Sequence, residues 1–278
     1  MFKTIAEIGC SHIGCINRAK ELAKLAKLSG ADILKTQKRN PLESVKKELW
    51  DKPHPNKLFA YGKTYLEHRQ NVELSIEKHI ELENFCNEIG IAYSTSVWDM
   101  TSAKEVIKHL NLNLIKIPSA LNLNFTLIKY LVDHFKGEIH ISTGMINKEE
   151  KIKLFEQLEP FKYKFVIYHC TSGYPVPFEN IHILEIKNLK NIFPRIGFSN
   201  HGYGIALEPV ALSLGATYFE RHFIDDRLFP HNDSAGSLEP QGFSKMVRDL
   251  KAVDKSLTYK PDQLEQIEIE QRDKLQFK

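Results

Sequence analysis

What most constrains the fold of this chain is an alternation. Short runs rich in β-branched and aromatic residues are followed, again and again, by longer stretches of helical period. The strand candidates are Thr4–Ile8, Ile33–Gln37, Ile91–Thr95, Leu114–Ile117, Glu138–Ser142, Phe165–His169, Arg195–Ser199 and Thr217–Glu220. The helical candidates are Arg18–Leu28, Val72–Ile89, Thr101–Leu110, Thr126–His134, Lys148–Leu158, Ile181–Leu189, Ile205–Leu214 and Gly242–Ser256. In the first of these, Leu22, Leu25, Ala26 and Leu28 share a side and lysines take the other. Ser29-Gly30, Ile89-Gly90 and Leu214-Gly215 place glycine where a helix ends in a left-handed conformation. Strands separated by helices pair in parallel, and eight strand-helix units in 278 residues match a (β/α)8 TIM barrel, which needs about 250. A doubly wound open sheet is the alternative. No GxGxxG follows the first strand, and polar residues gather after strand ends all round the chain, which favours the barrel.

Two segments fall outside the repeat. Residues 38–71, after the second strand, form a long insertion rich in charge and proline that carries Trp50, Tyr61 and Tyr65. Loops of that length in compact domains usually serve as lids or contact surfaces. The tail, 259–278, is charged and polar and reads as a closing helix, so one barrel domain over 1–258 is predicted.

Composition narrows the partners. With 38 basic and 35 acidic side chains the net charge is only +3, which gives no case for nucleic acid, so an anionic ligand must be captured locally. No apolar run approaches the roughly 20 residues of a membrane span, and Met1–Glu7 reads as a strand rather than a secretion signal. Cys10, Cys15, Cys86 and Cys170 show no CxxC spacing and read as free thiols in a reducing cytoplasm.

Function must come from the strand ends. His201 and His222 follow the seventh and eighth strands, which are neighbours in a barrel. Singly, each reads as a turn cap; together they read as two ligands of one divalent metal with open positions, and imidazoles suit manganese, iron or zinc better than magnesium. Lys35 and Lys116 end buried strands among the hydroxyls of Thr95, Ser119, Ser142 and Ser199, a set fitted to phosphate or carboxylate. Helix N-capping is the competing reading for those hydroxyls, evenly balanced for Ser119 and Ser142. Glu7, Glu220 and Asp233 are candidate proton carriers or metal ligands, with surface solvation the competing reading for Asp233, while Glu239 starts a helix before Pro240.

Eight ordered motifs carry a resemblance. Glu7-Ile-Gly-Cys-Ser-His-Ile-Gly, Lys35-Thr-Gln-Lys, Ser94-Thr-Ser-Val-Trp-Asp, Lys116-Ile-Pro-Ser, Ser142-Thr-Gly-Met, His169-Cys-Thr-Ser-Gly-Tyr-Pro, Gly197-Phe-Ser-Asn-His and Glu220-Arg-His-Phe together resemble the catalytic barrel of the N-acetylneuraminate (sialic acid) synthase family. The resemblance implies condensation of phosphoenolpyruvate with an aldose to a 3-deoxy-2-ulosonic acid, with release of phosphate, in a cytoplasmic homodimer that feeds surface polysaccharide. It implies that His201 and His222 hold a divalent metal, manganese before magnesium or another ion. Lys35, Thr95, Lys116, Ser119, Ser142, Ser172 and Ser199 would contact phosphoenolpyruvate; Gln37 and Tyr174 complete the substrate-binding set, and Glu7, Glu220 and Asp233 would stand near the sugar and metal, with Glu220 or Asp233 managing protons.

There are departures. The chain has Ser11-His12-Ile13-Gly14 where the family has Asn-His-Asn-Gly, Ala120-Leu121 for Gly-Glu, Asn200 for aspartate and Ser234-Ala235 for His-Lys. Most of them sit on the expected sugar side, so the acceptor is expected to differ. The sequence also stops short of the family's C-terminal antifreeze-like domain, and the aromatic insertion is the candidate cover for the mouth in its place. A metal-dependent barrel aldolase, isomerase or hydrolase, and a non-catalytic sugar-binding barrel, are the competing functions.

Overall fold

The structure, a computed structural model, describes residues 2–277. Its strands are β1 (Lys3–Gly9), β2 (Ile33–Lys38), β3 (Ala92–Val97), β4 (Leu114–Ile117), β5 (Glu138–Ser142), β6 (Phe165–Cys170), β7 (Ile196–Ser199) and β8 (Tyr218–His222). They pair in parallel in chain order, and β8 closes on β1. The helices are α1 (Ile16–Leu28), α2 (Pro41–Ser44), α3 (Tyr65–Val72), α4 (Ile76–Glu88), α5 (Met100–His109), α6 (Phe125–His134), α7 (Lys148–Leu158), α8 (Glu185–Lys190), α9 (Leu207–Ser213), α10 (Pro240–Ser256) and α11 (Gln266–Leu275). The expected (β/α)8 barrel is therefore the observed fold.

Two boundaries moved for local reasons. The expected helix 72–89 is two helices, because the chain breaks after Val72 and Ser75 caps α4 by accepting from the Lys78 amide. The expected helix 181–189 starts only at Glu185, since His182 takes a positive φ of 49° and interrupts it. Gly30, Gly90 and Gly215 all have positive φ, as their helix ends require. Glu239 stands at the start of α10.

Most of the apolar core lies between the barrel and its helices, from Ala6, Leu34 and Ile115 on the strands to Leu22, Leu82 and Leu250 on the helices. A smaller cluster of Ile5, Ile33, Leu114, Val166 and Tyr168 fills the barrel interior. The strand register carries one face around the ring: Glu7 pairs with Lys35, Lys35 with Ser94, Gln37 with Ser96, Ser96 with Lys116, Lys116 with His140, Ser199 with Glu220, and Glu7 again with His222. Side chains alternate along a strand, so these residues all face inward, apolar below and polar above. Gly197 has no side chain because the Tyr168 ring occupies the space a Cβ would take.

The opposite end of the barrel is held by a polar cluster. Arg195 pairs with Glu138, and Tyr218 donates to Glu138 Oε2 at 2.8 Å. His140 Nε2 lies 3.4 Å from the same oxygen, while His140 Nδ1 meets Tyr168 Oη at 2.8 Å. The hydrogen bond from His140, with those of Tyr218 and the Arg195 charge, holds the Glu138 carboxyl at about 2, below its ordinary 4.5. A depressed carboxyl contributes stability that is complete above its unfolded value and is lost as pH falls through the folded one. Wild-type stability to urea is therefore expected to drop more steeply than that of Glu138→Gln between pH 4.5 and about 2. Parallel curves over that window would refute this role.

Candidate active site

At the carboxyl ends of the strands the inward-facing ring becomes a buried charge cluster. Lys35 Nζ contacts a Glu7 carboxylate oxygen and lies 3.8 Å from Glu220 Oε2, and Lys116 Nζ donates to Glu220 Oε1 at 2.6 Å. Lys116 also lies 4.4 Å from the centre of the Tyr168 ring, and Ser199 Oγ donates to Glu220 Oε1 at 3.3 Å. All four charged side chains are buried. Burial alone would raise the Glu220 carboxyl, but Lys116 and Lys35 outweigh it and hold the group at about 2. Burial works against the Lys35 charge, and Glu220 and Glu7 overcome it; for Lys116, burial and repulsion from Lys35 win and push the ammonium down. Burial pushes Glu7 up, the Glu220 charge adds to the effect, and Lys35 offsets it only in part. A floor of two ammonium groups over one firmly ionised carboxylate favours an anionic ligand.

One wall offers hydroxyls. A Cβ on Gly144 would come within 2.8 Å of Ser119 Oγ and closer still to Ser172 Oγ, so both hydroxyls converge on this glycine. Ser172 Oγ is buried without a hydrogen-bond partner, an orphan that a ligand oxygen would satisfy. Asn122 Nδ2 holds the loop by donating to the carbonyls of Ser142 at 3.0 Å and Gly144 at 2.8 Å. Ser119, Ser142 and Ser199 line the cavity together with Lys35 and Lys116.

Facing the hydroxyls are the two imidazoles. The rings of His201 and His222 stand 5.4 Å apart, with Tyr174 packed at 4.4 Å from the first and 5.9 Å from the second. His201 Nδ1 lies 3.1 Å from the Thr171 carbonyl, which fixes that nitrogen as the donor and leaves Nε2 free as a ligand. Burial pushes His222 down to about 4, so it is neutral, as a metal ligand must be. Asp233 Oδ2 lies 3.9 Å from His222 Nδ1 and 3.8 Å from His231 Nδ1. Among the described residues no three His, Cys, Asp or Glu side chains are drawn together as a complete metal cage. The donor set fits an ion held by two imidazoles, whose remaining positions go to water or substrate.

The sequence-derived residues fall as follows. Glu7, Lys35, Gln37, Lys116, Ser119, Ser142, Tyr174, Ser199, His201, Glu220 and His222 line one cavity, with Ser172 beside Gly144 and Asp233 behind His222. Thr95 does not reach it: its hydroxyl accepts from Thr36 at 3.2 Å on the outer face of β3, and Ser96 lines the cavity instead. Counting by twos from the Lys35–Ser94 and Gln37–Ser96 pairs would have shown this. Trp98, Pro118 and Cys170 also line the cavity and were missed as site residues. Behind the wall, the insertion packs on the mouth. Arg69 of α3 pairs with Glu73 and donates to Cys10 Sγ, and the Tyr61 hydroxyl donates to the Pro230 carbonyl at 2.9 Å. Trp50, Tyr61 and Tyr65 do not line the cavity.

Fold and site together define a (β/α)8 barrel whose mouth gathers two lysines, a row of hydroxyls and a pair of imidazoles in one cavity. Residues 22–261 match the NeuB family profile, and the chain belongs to that family. It is 32% identical over 273 residues to the human N-acetylneuraminate-9-phosphate synthase, covering 98% of this chain and 75% of that one. It is 30% identical to the N,N'-diacetyllegionaminic acid synthase of Campylobacter jejuni, covering 91% of this chain and 76% of that one. The fold is shared with the N-acetylneuraminic acid synthetase of Leptospira borgpetersenii, with a TM-score of 0.81, 24% identity, and coverage of 99% of this chain and 92% of that one. Enzymes of this family generally depend on a divalent metal.

Gly144→Ala puts a methyl group among the converging hydroxyls without touching the core. It is expected to weaken binding of phosphoenolpyruvate, read by calorimetry, by about tenfold, the size of one lost charge-assisted hydrogen bond. Unchanged affinity would remove Ser119 and Ser172 from the anion subsite.

Proposed function

We propose that this chain condenses phosphoenolpyruvate with an aldose, forming a 3-deoxy-2-ulosonic acid of the sialic acid type and releasing phosphate. The observation that carries this is the placement of Lys35 and Lys116, bridged by Glu220, in one cavity with His201 and His222. An enol phosphate and an aldehyde each find their partners there within reach of one another.

Lys35 and Lys116 bind the phosphoenolpyruvate anion, and the hydroxyls of Ser119, Ser142 and Ser172 take the phosphate oxygens. The two lysines fix C3 towards the imidazole side of the cavity. His201 and His222 would hold the divalent ion, manganese by the nature of the donors, which supplies Lewis acidity towards the aldehyde oxygen. C3 bonds to the aldehyde carbon with the enol electron pair, the aldehyde oxygen takes up a proton to become a hydroxyl, and water adds at the electron-poor C2 and gives up a proton in turn. Loss of phosphate from C2 leaves the keto acid. Glu220 is already paired with both lysines and stays ionised, so it acts as their counter-ion. Asp233, though buried, is held low by His222 and His231. Proton transfer therefore falls to Glu7, whose carboxyl is raised by burial and accepts from Gln37 Nε2 at 3.0 Å.

The insertion at 38–71 is assigned as a wall of the mouth, supported by the bond from Tyr61 to Pro230; the tail from 259, expected as a closing helix, forms α11 but buries no residue and so closes nothing. A homodimer and a cytoplasmic setting go with this reading; no described helix is long and apolar enough to cross a membrane. The curated relatives described above are synthases of sialic-acid-type sugars and give no support to a metal-dependent barrel aldolase, isomerase or hydrolase that does without phosphoenolpyruvate, or to a non-catalytic sugar-binding barrel.

The test is phosphate release and product mass with phosphoenolpyruvate, manganese and a panel of aldoses. Lys116→Met is expected to lower kcat/KM by a hundredfold or more, about the loss of one preorganised charge. His222→Ala is expected to abolish manganese binding by calorimetry while circular dichroism stays unchanged. Retained manganese affinity would place the metal elsewhere.

A further inference from the structure

Lys35 and Lys116 are not supported alike. Lys35 Nζ stands between two carboxylates, Glu7 and Glu220. Lys116 Nζ has a single one among the described residues, Glu220 Oε1 at 2.6 Å, and Glu220 is already shared with Lys35 and the Ser199 hydroxyl. What Lys116 has in addition is an aromatic face: its ammonium lies over the Tyr168 ring, 4.4 Å from the centre. Both side chains are buried, and a cation out of water is held well by the electron-rich face of a ring.

The ring is set from the opposite end of the barrel. The Glu138 carboxyl, held at about 2 by His140, Tyr218 and Arg195, is ionised and therefore only accepts hydrogen bonds. His140 Nε2, 3.4 Å from Glu138 Oε2, carries the proton between them. Burial keeps that imidazole neutral, which leaves Nδ1 as a bare acceptor. The Tyr168 hydroxyl, 2.8 Å from Nδ1, is then the donor. A phenol that gives its proton into a hydrogen bond becomes richer in π electrons, so Glu138 acts through two hydrogen bonds on the face that meets Lys116. The ring plane is fixed as well, because Gly197 leaves it space and Ile5, Ile33, Leu114 and Val166 pack with it.

We propose that Tyr168, oriented by Glu138 and His140, is a positioning residue for phosphoenolpyruvate: its ring face carries the Lys116 ammonium, so that the N–H bonds Glu220 does not take stay aimed at the substrate anion. This rests on the phosphoenolpyruvate-condensing reading, in which Lys116 binds that anion. Tyr168 does not line the cavity and its hydroxyl is spent on His140, so it acts only through the lysine.

The experiment replaces Tyr168 by phenylalanine and by its mono-, di- and trifluorinated analogues, which keep the shape of the ring and drain electrons from its face. Binding of phosphoenolpyruvate is read by calorimetry, with kcat and KM for phosphate release beside it. Affinity is expected to fall with each added fluorine, by about tenfold across the series, while KM rises and kcat and manganese affinity hold. A merely structural role gives no such trend. His140→Leu is expected to weaken binding in the wild-type chain and to add nothing in Tyr168→Phe, since it works through the hydroxyl. Lys116→Met is the reference: it should weaken phosphoenolpyruvate binding and flatten the series. A flat series while Lys116→Met still weakens binding would overturn the inference and leave the condensation reading standing. Unchanged phosphoenolpyruvate affinity in Lys116→Met would overturn both.

Discussion

The rest of the site depends on one interaction, the buried bridge from Lys35 through Glu220 to Lys116 with Glu7 closing its end. Taking an ion out of water costs several kcal/mol even after relaxation, and mutual attraction repays it only when the geometry is close and the partners are complete. A barrel core filled by apolar side chains would be simpler to stabilise. The charges stay because each carboxylate keeps an ammonium in place until a ligand anion arrives. Glu220 is held near 2 by its two lysines, so the cluster is organised before substrate enters.

Everything around the cluster supports that arrangement. Below it, Tyr168 packs under Lys116 with its hydroxyl on His140, and Gly197 leaves room for the ring. Beside it, Gln37 ties Glu7 to Arg39, and Arg39 ties both to Trp98 and Glu73. Through Glu73 the network reaches Arg69 and so the insertion. The segment that breaks the βα repeat is in this way coupled to the charge cluster without touching the cavity itself.

Much of this was legible from residue order alone. Strand positions emerged to within a residue or two because buried parallel strands are short apolar runs bounded by polar ends. His201 and His222 could be paired because neighbouring strands in sequence are neighbours in a barrel. What linear reading handled poorly was direction. Thr95 reads as a ligand contact from its motif, although alternation turns it outward and turns Ser96 in. The pairing of Glu220 with both lysines was also beyond reach, since it joins β2, β4 and β8 across the barrel and follows from closure rather than from any local spacing. The insertion read as a loop, yet it folds into α2 and α3 because Asn40 and Thr64 cap its short helices.

The central claim is a matter of position: an enol phosphate on the lysine pair with a metal ion at the imidazoles beside it. A crystal structure of the chain with phosphoenolpyruvate and manganese tests it most directly. The account expects the anion in contact with Lys35 and Lys116, its phosphate among Ser119, Ser142 and Ser172, and the ion on His201 and His222. Density for the anion at the other end of the barrel, or for manganese away from both histidines, would contradict it.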